Sequence, residues 1–215
     1  SDGSYDVWLV KTDSNGDTVW TKTFGGNDTD SGYCVRQTAD GGYVIVGNTN
    51  TFGSGDYDIW LIKTTSDGNL TWSSTIGGTE SDRASSIRQT SDGGYIIAGY
   101  INPIAGNNYT DIWLIKTDSQ GNEEWNQTFG GSSTDIGHSV QQTSDGGYII
   151  TGFTSSFGNG NNDVWLLKVG DYSGPVWHVS TTGSDDNDGS EENPFATIQA
   201  GIDAASDGDT VLVAT

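Results

Sequence analysis

The stretch "DIWLIKTDSQGNEEWNQTFGG", Asp111 to Gly131, opens on a phrase that the chain writes four times. "DVWLVK" begins at Asp6, "DIWLIK" at Asp58 and "DVWLLK" at Asp163. Aligning the phrases puts Trp8, Trp60, Trp113 and Trp165 in register at spacings of 52, 53 and 52 residues. The same register carries Trp20, Trp72 and Trp125, and the "DGGY" stretches that begin at Asp40, Asp92 and Asp145. These alignments place seven of the eight tryptophans, so the period is structural and decides the fold.

Each unit reads as four strands. "SIRQT" (Ser86 to Thr90) is polar, whereas "YIIAG" (Tyr95 to Gly99) is apolar on both faces. A Gly/Asn-rich loop leads to "DIWLIKT", where Ile112 and Leu114 point one way and Trp113 and Ile115 the other. In "EEWNQTF", Trp125, Gln127 and Phe129 alternate with polar neighbours, as in an outer strand. Asn-Gly, Asp-Gly and Gln-Gly at the turn centres supply the positive φ of tight hairpins. Four antiparallel strands with a doubly apolar middle describe a blade held between two other blades. The expected class is therefore all-β: a β-propeller repeat over residues 1–170, with the polar strand innermost. A β-solenoid is disfavoured, because its coils are about 20–30 residues long.

The stretch "TFGGSSTDIGHSVQQTSDGGYIITGFTSSFGNGNNDVWLLKV" resembles the β-propeller repeats of large secreted or surface proteins of bacteria and archaea. The likeness covers about residues 5 to 169 and rests on several motifs recurring in order. Kelch repeats are similar in length, but their double glycine ends a strand instead of preceding one. Four "WLIK" strands against three of every other kind make about three blades, fewer than the roughly 4–8 of a closed ring. The expectation is an incomplete arc, part of a longer protein.

After a short linker at residues 171–175 the pattern changes. "VWHVSTTGSDDNDGSEENPFATIQAGIDAASDGDTVLVAT", residues 176–215, predicts a strand, an acidic turn, a helix beginning near Pro194 or Phe195, and another strand. It resembles the entrance of right-handed parallel β-helix proteins, the pectin-lyase-like group. That likeness implies a first strand, one capping helix and the start of a first coil, with any active site further along the chain.

Twenty-nine acids against eight bases give a net charge of −21. Such a surface repels phosphate backbones and anionic lipid, which disfavours nucleic acid and direct membrane contact as partners and favours cations. Cys34 is the only cysteine, so no intrachain disulfide forms. Its counterparts Ser86 and Ser139 mark a small packed side chain.

No G-x-S-x-G, H-E-x-x-H, phosphate loop or C-x-x-C occurs, so no catalytic and no cofactor-binding residue is assigned. His138 stands where the other blades have Tyr33 and Ser85; it reads as a solvated side chain beside a polar strand. Asp30, Asp82 and Asp135 recur before the inner strand, either as a ring of carboxylates or as caps on backbone N–H groups, the simpler account. Lys11, Lys63, Lys116 and Lys168 recur and read as structural. "DSNGD" (Asp13, Asn15, Asp17) has calcium-loop spacing, but its counterparts lose acids, so it reads as a turn. The loops "NTNTFGSGDY", "YINPIAGNNY" and "FTSSFGNGNN" suit either sugar contacts or an ordinary surface. In "GSDDNDGSEEN", Asp185, Asp186, Asp188 and Glu191, with Glu192 beside them, form the candidate Ca²⁺ site, against the alternative of a solvated acidic turn.

The functional expectation is a non-enzymatic extracellular or cell-surface interaction or display module, binding a polysaccharide or a surface protein. The competing expectation is the targeting domain of a polysaccharide lyase or hydrolase whose β-helix continues beyond this segment. A third is a spacer.

Overall fold

The computed structural model describes residues 5–102, 109–170, 176–180, 182–187, 189–190, 193–204 and 210–213. Thirteen strands precede the tail: β1 Val7–Thr12, β2 Thr18–Phe24, β3 Asp30–Gln37, β4 Tyr43–Thr49, β5 Asp58–Thr64, β6 Leu70–Ile76, β7 Arg83–Gln89, β8 Tyr95–Ile101, β9 Asp111–Thr117, β10 Glu123–Phe129, β11 Asp135–Gln142, β12 Tyr148–Thr154 and β13 Asp163–Val169. They form two complete four-stranded antiparallel meanders, β3–β4–β5–β6 and β7–β8–β9–β10. A two-stranded sheet (β1–β2) precedes them and a three-stranded sheet (β11–β12–β13) follows. This is the blade pattern read from the repeat, in propeller-like form with incomplete first and last sheets.

The chain divides into two compact units, Ser1–Gln141 with Ile150–Leu167, and Gln142–Ile149 with Lys168–Thr215. Within the first, Val44, Val46, Ile59 and Leu61 of one full sheet pack on Tyr95, Ile97, Trp113 and Ile115 of the next. Val7 and Leu9 of β1 meet Ile45, Trp60 and Ile62 in the same manner. Burying each aliphatic side chain contributes about 1.5–3 kcal/mol, so these face-to-face joints carry most of the stability.

The other repeated tryptophan makes a second joint. Trp20 lies edge-on to Tyr43 of the following sheet at 5.9 Å, and Trp72 to Tyr95 at 5.9 Å. Hairpin glycines close over the same indoles: Gly68 and Gly121, with φ of 74° and 81°, leave no room for a Cβ beside Trp20 and Trp72. That explains why tryptophan and glycine repeat together.

In the tail, β14 (Val176–Val179) and β15 (Thr210–Val213) pair in parallel, and α1 (Ile198–Ala204) packs on both. The helix begins later than Pro194 or Phe195, because Thr197 caps it: its Oγ1 accepts the N–H of Ala200 at 3.2 Å. The described residues hold one parallel pair and its crossover helix; they form no stacked coil of a β-helix. No helix among them is long and apolar enough to cross a membrane.

Candidate functional site

The inner strands are interrupted at one equivalent place. The ladder from β3 to β4 shifts between Gly32 and Cys34, and that from β7 to β8 between Ala84 and Ser86. Tyr33 and Ser85 are therefore the extra residues of two β-bulges. The cause lies opposite them: a Cβ on Gly47 or Gly99 would collide with the carbonyl oxygen of Ser31 or Arg83. The inner strand leans onto bare backbone, and a bulge re-aims the side chain it carries. His138 holds the same register position in β11.

Tyr33, Ser85 and His138 come together at a cavity of about 350 Å³, with Asn48, Arg83 and Tyr100 and the small Ala84 completing its wall. Cavities of this size accept small ligands. Arg83 is replaced by Ser31 and Ile136 in the other repeats, and Tyr100 by Asn48 and Phe153. The bulge-position side chains, which vary from blade to blade, thus face one space, whereas the invariant ones build the blades. Sequence reasoning noted His138 but missed Arg83, Asn48 and Tyr100. Comparing the repeats column by column carries that signal.

The wall is aromatic, cationic and rich in donors. The Arg83 guanidinium sits over the Tyr57 ring, 4.6 Å from its centroid, and has no ion pair among the described residues. Asn48 is buried; its Oδ1 accepts the Ala84 N–H at 3.1 Å, while its Nδ2 has no partner among the described residues. Burial pushes the Tyr100 hydroxyl above its ordinary range, and the Arg83 charge opposes that rise only in part. His138 lies 5.7 Å from the Phe153 ring. Ser85 and His138 both line the cavity, and no hydrogen bond joins them among the described residues.

The recurrent charges hold turns and loops. Lys63 pairs with Asp40, Lys116 with Asp92 and Glu124, and Lys168 with Asp145 at 2.7–2.8 Å, tying each "DGGY" turn to β5, β9 or β13, the second strand after it. Lys11 instead stands about 6 Å from the rings of Trp20 and Tyr43. The Lys63 and Thr38 bonds hold Asp40 far below the usual carboxylate range. Burial works against Asp92, yet the bond from Lys116 brings it to about 2; Lys168 brings Asp145 to about 2.

Asp30, Asp82 and Asp135 accept the N–H of Gly26, Gly78 and Gly131 at 2.8–3.0 Å, so they cap loops, and none of them lines the cavity. Their own N–H groups donate to Tyr5, Tyr57 and Thr110 of the preceding sheet. Gly25, Gly77 and Gly130 lie against these carboxylates and those of Asp6, Asp58 and Asp111. Burial raises the pKa of Asp58, Asp82 and Asp111, and neighbouring carboxylates add to the rise at Asp82 and Asp111.

In the "DSNGD" hairpin, Asp13 Oδ1 accepts the N–H groups of Asn15 and Asp17, the geometry of a turn. The loop aromatics Phe52 and Phe157 pack on Trp60 and Trp165 at 5.1 and 5.3 Å; residues 103–108 of the middle loop lie outside the described residues. Of the calcium candidates, Asp188 and Glu191 also lie outside them, as does Glu192. Asp185 accepts the N–H of Ala196 and Thr197 and the Thr197 hydroxyl, so both its oxygens serve the helix start. Asp186 is exposed, and its N–H donates to Ser184 Oγ. No group of three or more metal-ligating side chains occurs among the described residues.

A larger cavity of about 440 Å³ lies between β1 and β3, lined by residues such as Asp6, Trp8 and Asp30. Its lining mixes such repeat-invariant positions, left uncovered beside an incomplete sheet, with Tyr33, which it shares with the inner-strand cavity.

No family model matches the chain, and no curated protein does. Among solved structures it is similar to a protein of unknown function from Bacteroides caccae, with a TM-score of 0.46 and 12% identity over 78% of this chain. The match spans 60% of that protein's chain.

Proposed function

We propose that this segment is a non-enzymatic binding module of an extracellular or cell-surface protein, and that it holds a saccharide in the inner-strand cavity. The blades form part of a propeller ring, and residues 176–215 begin a parallel β-helix. One observation carries the reading: the bulge position that differs between repeats, Tyr33, Ser85 and His138, converges on one cavity with aromatic faces, hydroxyls, an amide and a guanidinium. Flat rings with a few fixed polar groups suit sugars, which present an apolar face and many hydroxyls. The net charge of −21 argues against nucleic acid and anionic membranes.

A glycan array probed with the 215-residue chain, followed by titration of Tyr33→Ala and His138→Ala, tests the reading. Each variant is expected to weaken binding about tenfold or more with the fold intact, the scale of losing one desolvated contact. Undiminished binding by both variants would remove the cavity from the account.

The parallel β14–β15 pair with its crossover helix favours a second reading, the targeting domain of a polysaccharide lyase or hydrolase. Its discriminating feature is a cluster of carboxylates and a base on one face of the β-helix that follows in the parent gene.

A further inference from the structure

We infer that the cavity takes a sugar bearing a carboxylate, with Arg83 as the group that recognises the anion; this rests on the saccharide reading above. The protein carries 29 acids and eight bases, yet none of the residues lining the cavity is acidic. Lys63, Lys116 and Lys168 are tied to carboxylates, while Arg36 and Arg88 donate to the neighbouring carbonyls of Val35 and Ile87. Arg83, like Arg36 and Arg88, has no carboxylate partner among the described residues, but it alone of the lysines and arginines lines the cavity, with its guanidinium over Tyr57. The blade does not require an arginine there, since Ser31 and Ile136 fill the same register position.

The other polar groups match an anion as well. Asn48 Nδ2 is a buried donor without a partner among the described residues, and Ser85 and Tyr100, which carry hydroxyls, stand in the same wall. Donors therefore dominate the cavity, as oxygen-rich anionic ligands require. A planar guanidinium meets a carboxylate through two parallel N–H···O bonds, and one positive charge balances one carboxylate. A phosphate carries more charge than this single cation neutralises. Tyr33, half exposed at the bulge, supplies the flat face for the sugar ring.

The test titrates the full chain with matched acidic and neutral hexoses: glucuronate against glucose, galacturonate against galactose, and mannuronate against mannose. In at least one pair the acidic member is expected to bind about 10–100-fold more tightly, the scale of a charge-assisted hydrogen bond. Arg83→Gln erases that preference, Arg83→Lys retains only part of it, and added salt reduces it. Tyr33→Ala weakens both members of the pair alike. Equal binding of acidic and neutral partners, or a preference that survives Arg83→Gln, overturns the anion assignment while the saccharide reading stands. Binding of no hexose in any pair overturns both. Circular dichroism on each variant checks folding, and should Arg83→Gln fail to fold, the salt dependence and Arg83→Lys decide the matter.

Discussion

Trp8 and Trp60 stand in the same phrase of the same repeat, but one is 69% exposed and the other 5%. Leu166 and Leu114 differ in the same way, at 61% and 0%. Both members of each pair lie in antiparallel strands of the same register, so local structure does not separate them. What separates them is a neighbouring sheet. The phrase specifies two faces to be covered, and the central sheets are covered on both, while β1 and β13 each leave one face open. Strand formation here is a property of the unit; burial is a property of the array.

The sharpest way to break that comparison is to shorten its matched leucines. Leu114→Ala is expected to lower unfolding free energy by about 2–5 kcal/mol, and Leu166→Ala to change it by less than about 0.5 kcal/mol. Equal losses in urea denaturation would mean that the face of β13 is covered in solution. The lysines give a smaller contrast. Lys116 is buried between two acids, so Lys116→Ala is expected to cost about 1–2 kcal/mol, a buried-pair loss reduced because Asp92 and Glu124 are half solvated. Lys168 and Asp145 are both well exposed, and Lys168→Ala should leave the unfolding midpoint where it is.

Acid sets the loop carboxylates against the turn carboxylates, with the smallest expected effect. Asp40, Asp92 and Asp145 bind protons less readily in the fold than at the ordinary value of 3.8, so their stabilisation is present above 3.8 and is lost as pH falls towards 2. Asp58, Asp82 and Asp111 are raised above 3.8, so the fold gains stability as pH falls through their shifted values. Urea midpoints should therefore rise slightly on mild acidification before they fall, and Asp82→Asn should flatten the rise. A monotonic fall from neutral pH would show that the loop carboxylates are ionised and well solvated.

Strand order and the doubly buried middle strands were legible because alternation and turn glycines are local. So was the role of Asp30, Asp82 and Asp135, whose short side chains cap groups a few residues away. The first residues of β7 were not, since the bulge at Ser85 breaks the alternation that marks a strand. The cavity was legible only in part. His138 stood out as a departure from the repeat, but its meeting with Tyr33, Arg83 and Asn48 depends on how successive sheets pack, which no single unit encodes. The calcium reading of Asp185 rested on acid density, and acid density does not distinguish a ligand from a helix-capping carboxylate.

A bulge residue stands outside the ladder, so its identity is nearly free of the demands that fix the rest of the blade. Tyrosine, serine and histidine occupy that place in successive units with the glycine opposite unchanged. Duplicating a unit of this kind adds a wall to the cavity, and a single later codon change alters what that wall offers. Specificity in such an array can therefore drift without the scaffold having to be relearned.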